Sequence, residues 1–199
     1  MDRIVEVTVA AIEAGGEPSL RVNDIARDSG VSVATLYHYF GDREGLVVAA
    51  RLKQYEGATG IYLDDFASAA DAATNAAEFA AVVRAFFERA TSDASRIMRF
   101  TRAEIIGSSR TRPQLADSLR AVQEGLVASL TEVLARAQER GFMSTDFRPR
   151  DVVEFSLVLH IGSILPDLLA GDGETSTSLS RVLAEVIDRV FASQPAPAS

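Results

Sequence analysis

Apolar residues recur along this chain at helical spacing almost from end to end, and no stretch shows the strict alternation of a half-buried strand. Ile4, Thr8, Ala11 and Ile12 share the first such face, and Gly15-Gly16 followed by Pro18 stops it near residue 15. Two short helices are expected over 22–29 and 33–39. Gly41-Asp42 then starts a fourth, with Asp42 as N-cap and Leu46, Ala49, Ala50 and Leu52 on its inward side. An alanine-rich stretch leads to a break at Asp71 to Asn75, after which helices are expected over 76–91 and 95–107. Pro113 suits the first turn of the next, where Leu115, Leu119, Val122, Leu126, Leu130, Val133 and Ala137 trace one stripe to Gly141. Asp151 to Leu169 reads as one further helix, and Leu179, Val182, Leu183, Val186, Val190 and Phe191 mark the last. Gly171 to Ser178 reads as a polar loop, and the tail 193–199, rich in Pro, Ala and Ser, as disordered. The expected class is all-α.

The two short helices carry the most specific pattern. Ala26 is small where a second helix crosses the first, and Gly30 follows four residues later, where a tight turn calls for a positive φ. Ile25, Val31, Leu36 and Tyr39 supply apolar positions that pack the pair, and Ser32 is placed to cap the second helix. This is the steric pattern of a helix-turn-helix, whose second helix enters a DNA major groove.

Charge changes that picture. The 199 residues include 28 acidic and 20 basic ones, a net charge of −8, and residues 1–50 hold four arginines against eight carboxylates. Phosphate attraction is the main source of non-specific affinity, so DNA binding here must rest on a few placed donors and on pairing of two copies. With no cysteine, only two histidines (His38 and His160) and a single lysine (Lys53), the chain offers no thiolate metal site or cysteine nucleophile. It contains no Walker A, HExxH or G-x-S-x-G motif, so no enzyme activity, cofactor or metal is expected. No apolar run approaches the roughly 20 residues of a membrane span and the start lacks signal-peptide features, so a cytoplasmic protein is expected.

Asp24-Ile25-Ala26, Ser29-Gly30-Val31-Ser32, Thr35-Leu36-Tyr37, Tyr39-Phe40 and Arg43-Glu44-x-Leu46 sit together at a spacing that resembles the TetR-type, tetracycline-repressor-like transcriptional regulators. The likeness is closest over Ile4 to Leu46. Arg21 stands where a Ser or Thr usually caps the first helix of the motif, and Arg43 replaces a usual lysine, keeping the charge. The resemblance implies about nine helices, with a three-helix DNA-binding domain over 1–46 and a ligand-binding and dimerisation domain over 47–192. It also implies a homodimer joined through the last two helices, about 151–169 and 178–191, which represses from a double-stranded, palindromic operator and is released by a small-molecule effector.

Expected DNA contacts follow from the helix 33–39, with Leu36 and Phe40 inward. They are Arg21, Asn23, Arg27, Ser32, Val33, Ala34, Thr35, Tyr37, His38, Tyr39 and Arg43, which combine hydroxyls and cations for phosphates with small apolar groups for thymine methyls. In the larger domain Phe86, Met98, Phe100, Glu104, Gln123 and His160 are the candidate lining of an apolar effector site; Glu104 and His160 share helix faces with apolar neighbours. The competing reading is a helical small-molecule sensor or protein-interaction module that no longer binds DNA, which the acidic N-terminal domain favours.

Overall fold

A computed structural model describes residues 1–60, 63–170 and 177–191, and among these no strand occurs. The chain forms α1 (Asp2–Gly15), α2 (Val22–Ser29), α3 (Val33–Phe40), α4 (Arg43–Gly60), α5 (Leu63–Ala72), α6 (Ala76–Thr91), α7 (Arg96–Ser109), α8 (Pro113–Glu139), α9 (Pro149–Gly162), α10 (Ile164–Ala170) and α11 (Thr177–Phe191). Short 3-10 turns cover Glu17–Ser19 and Asp93–Ser95. Among the described residues eleven helical segments occur, two more than the nine expected, since the helix expected over 151–169 is split into α9 and α10 and the alanine-rich stretch forms α5. The expected disordered tail and most of the polar loop lie outside the described residues.

Side-chain caps start several helices where the sequence places them. The Ser32 hydroxyl accepts from Thr35 N–H at 3.0 Å, the Asp42 carboxylate from Gly45 N–H at 2.8 Å, and the Asn75 side chain from Glu78 N–H at 2.9 Å. Arg21, at the N-cap of α2, makes no such bond. One expected helix is interrupted: α9 ends at Gly162 and α10 begins at Ile164. Pro166 explains it, because it has no N–H for the Gly162 carbonyl and its ring crowds that turn.

Two compact units emerge from the contacts. The first comprises Met1–Ala58 with Glu104–Ala121, the second Thr59–Ala103 with Val122–Ser199. In the first, Ile4, Ile12, Leu20, Ile25, Leu36, Leu46 and Val47 form the core. In the second, Phe79, Val83 and Phe87 of α6 meet Val133 and Leu134 of α8, Val153 of α9, and Ile187 and Phe191 of α11.

The second unit also buries charge. Arg99 and Asp167 are 1% and 2% exposed in their side chains, and they pair through two parallel bonds, Nε to Oδ2 at 2.9 Å and Nη2 to Oδ1 at 2.8 Å. Arg99 Nη1 donates to the carbonyls of Ala90 and Ser92, and Arg96 donates to the Asp167 carbonyl. The buried positions of α7 are therefore Arg99, Arg102 and Ile105, while Ile97 is 80% exposed. The apolar face expected beside Glu104 is out of phase with the buried one, because Arg99 and Arg102 point inward.

Two glycines of the first unit, Gly30 in the turn of the helix pair and Gly45 in α4, are required for different reasons. Gly30 takes φ 74° and ψ 29° with open space where a Cβ would stand, whereas a Cβ on Gly45 would lie 2.0 Å from the Phe40 carbonyl oxygen. Gly30→Ala is expected to cost about 1–2 kcal/mol, the left-handed penalty alone, and Gly45→Ala more, since backbone must move. Urea unfolding of the two variants checks the order; equal midpoints would refute it.

Candidate nucleic-acid interface

Helix α3 is short, capped and anchored by one fully buried residue. Leu36 is 1% exposed and fixes the helix against α2, leaving Ala34, Tyr37 and His38 on the outward face. Tyr37 and Tyr39 are 44% and 53% exposed. Tyr39 therefore does not pack the helix pair as its spacing suggested; it stands in solvent with its ring edge-on to His38 at 5.4 Å. Val33 turns partly into the core, and its expected outward contact is correspondingly reduced. Thr35 is half-buried, with its hydroxyl 2.8 Å from that of Ser32. The face so formed is a strip of two phenols, an imidazole and a methyl, shaped for groove contact more by hydrogen bonding and apolar touch than by charge.

The cations around that strip are occupied. Arg27 bonds Asp24 at 2.9 Å and Asp28 at 3.0 Å on the surface of α2. Its hydrogen bond to Asp28 and the charges of both carboxylates raise its pKa further above the usual arginine value. Arg21 donates to the Pro18 carbonyl, and Arg43, at the start of α4, donates to the Glu17 carbonyl at 2.5 Å. Asn23 is exposed on the first turn of α2. For Arg21, Arg27 or Arg43 to grip a phosphate, each must leave or share an internal partner.

A model of the bacterial regulatory proteins of the tetR family matches residues 4–50, the span that contains this helix pair, its caps and its core. The chain carries the TetR-family N-terminal domain. Beyond that domain, the fold is similar to that of solved regulators over most of the chain. A regulator from Rhodococcus sp. assigned to that family superposes with a TM-score of 0.66 at 25% identity, over 96% of this chain and 97% of that one. One from Mesorhizobium loti gives 0.68 at 20% identity, over 94% and 93%. The Bacillus subtilis regulator FadR, in complex with stearoyl-CoA, gives 0.60 at 15% identity, over 98% and 99%. No curated protein sequence matches the chain.

Beyond the TetR domain, the second unit holds an apolar cleft of about 360 Å³ between α6, α9 and α11, walled by Phe87, Val152, Phe155, Leu159, Leu183 and Ile187. A separate, smaller cavity of about 50 Å³ is lined by Phe66, Phe86, Leu130 and Leu134 and shares Phe87, Val152, Ser156 and Phe191 with the cleft. Of the six residues expected to line an effector site, Phe86, tilted against Phe66 at 4.9 Å, stands in these walls. Met98, Phe100, Gln123 and His160 are half-buried in the same unit. Burial, followed by the charges of Arg102 and Arg99, lowers the His160 pKa to about 4. Glu104 belongs to the first unit and bonds Arg51 at 2.6 Å, so it serves a charge cluster there. Glu17, Arg51 and Arg112, the centre of that cluster, carry no sequence motif; a glutamate followed by proline before a capless helix was the only local sign.

Among the described residues no helix is long and apolar enough to cross a membrane.

Proposed function

We propose that the chain is a ligand-responsive transcriptional regulator that binds a palindromic operator as a homodimer and represses from it. The observation that carries this reading is the outward strip of Ala34, Tyr37, His38 and Tyr39 on a capped α3 inside a TetR domain. A dimer lays two such helices into major-groove faces roughly 34–36 Å apart. Exposed apolar side chains on the last helices support pairing through them: Phe155 and Val158 of α9 are 50% and 69% exposed, and Val182 of α11 is 63% exposed. Apolar exposure on neighbouring helices is the mark of an interface. The cleft beside that face, of a size usual for small-molecule sites, favours an apolar effector, and the FadR complex with stearoyl-CoA is in keeping with that class.

The rival reading, a sensor that has lost DNA binding, is favoured by the internal pairing of Arg27 and Arg43. One experiment separates them. The full chain is used to select duplexes from a random pool, and binding is followed by fluorescence anisotropy at fixed salt. A repressor enriches one inverted repeat, and Thr35→Ala and Tyr37→Ala each weaken it roughly tenfold or more, the value of one groove contact. Replacing both Val158 and Val182 by Asp is expected to yield monomers in sedimentation and abolish tight binding. If no sequence is enriched, the sensor reading stands.

A further inference from the structure

Within the first unit, residues far apart in sequence meet at one carboxylate. Arg112, in the turn between α7 and α8, donates from Nη1 and Nη2 to the two oxygens of Glu17 at 3.0 and 2.5 Å, and its Nε forms an ion pair with Glu44 of α4 at 2.9 Å. Arg51 of α4 donates from Nε to the same Glu17 carboxylate at 2.6 Å, from Nη2 to Glu104 of α7 at 2.6 Å, and from Nη1 to Gln54 at 3.2 Å. The backbone carbonyl of Glu17 accepts from Arg43, at the start of α4. One residue of the turn between α1 and α2 thus touches α4 twice and the α7–α8 turn once. Its side chain is 15% exposed and that of Arg51 is 8%, so salt screens the cluster less than it would a surface pair. The Arg112 bonds and then those of Arg51, outweighing burial, hold the Glu17 carboxyl ionised with a pKa lowered to about 2.

We propose that Glu17 is a positioning residue for DNA binding, a clamp that fastens the helix pair to the α7–α8 turn through Arg112 and so sets how α3 is presented to the operator. This rests on the reading of the chain as a DNA-binding regulator and names the contact through which that site is regulated. Both α7 and α8 continue from the first unit into the second, where the apolar cleft lies. A shift of either helix must carry Arg112 with it or break its paired bonds. Forked guanidinium–carboxylate bonds tolerate little rotation, so the clamp is either made or open, and a small displacement becomes a choice between two arrangements. A mere staple would also hold the fold together, but it would have no reason to distinguish an operator from other DNA.

That difference is the test. The full chain and its Glu17→Gln, Arg112→Gln and doubly substituted forms are titrated against two probes, a duplex that the wild-type chain has selected and an unselected random duplex, with thermal melts on each. Each single change is expected to weaken the selected duplex about tenfold, the double no further, and the random duplex by less than twofold in every case. The clamp is overturned if Arg112→Gln binds the selected duplex within twofold of wild type, if both probes lose equally, or if the two losses add. Should Glu17→Gln fail to fold, Arg112→Gln, altered in a turn outside the helix pair, decides by the same criteria. If the wild-type chain selects no duplex, the proposed function fails and the clamp with it; selection with an indifferent Arg112→Gln removes the clamp alone.

Discussion

Asp167→Ala is expected to lower the unfolding free energy by about 3–5 kcal/mol, because it leaves the Arg99 guanidinium buried without its counter-charge. Arg99 is 1% exposed, and its remaining partners are the carbonyls of Ala90 and Ser92, which hold it at the junction of α6 and α7 and give it no way out to water. The loss is a large share of the roughly 5–15 kcal/mol that holds a domain folded. Replacing both partners, Arg99→Met with Asp167→Leu, is expected to cost far less, since neither charge then has to be desolvated. Urea unfolding of the three forms measures this. A single Asp167→Ala that unfolds within about 1 kcal/mol of wild type would mean that water reaches the pair.

The second large effect is on pH dependence. The His160 pKa lies at about 4 in the folded chain against an ordinary 6.5, first through burial and then through Arg102 and Arg99. The unfolded chain therefore takes up a proton near pH 6.5 while the folded chain resists it. Stability is complete above that value and falls as pH drops from about 6.5 towards 4, by up to about 3 kcal/mol in total. Glu17 titrates in a lower window: its carboxylate bonds contribute fully above about 4.5 and are lost as pH falls towards 2. Stability curves from pH 8 to 3 are thus expected to fall in two stages. His160→Gln should flatten the upper stage and leave the lower one. If His160→Gln leaves the fall between pH 6.5 and 4 unchanged, another group controls it.

The helix-turn-helix was legible in the sequence because its determinants are local. Gly30, Ser32 and Asp42 act on backbone within three residues of themselves, and Leu36 buries against partners set by a turn of fixed length. The exposed character of Tyr39 was less legible: its place one turn from Thr35 fits either face, and only the position of the neighbouring helices turns it outward. In α7 periodicity misled. Ile97 and Phe100 look like an inward face, yet Ile97 is exposed and Arg99 is buried, because Asp167 waits 68 residues later. An aspartate in an apolar helix was a sign that a buried cation should be sought, but nothing local said which of the arginines would meet it.

The sequence alone determined an all-helical chain, the motif that presents α3, and a TetR-type N-terminal domain, since hydrophobic period, caps and turn residues act over a few positions. Only the tertiary structure decided which charges are internal. It joined Arg112 to Glu17 across 95 residues and Arg99 to Asp167 across 68. It also grouped 104–121 with the helix pair and opened a cleft between α9 and α11. Such pairings are chosen by long-range packing, where the cost of burying a charge selects its partner from anywhere in the chain.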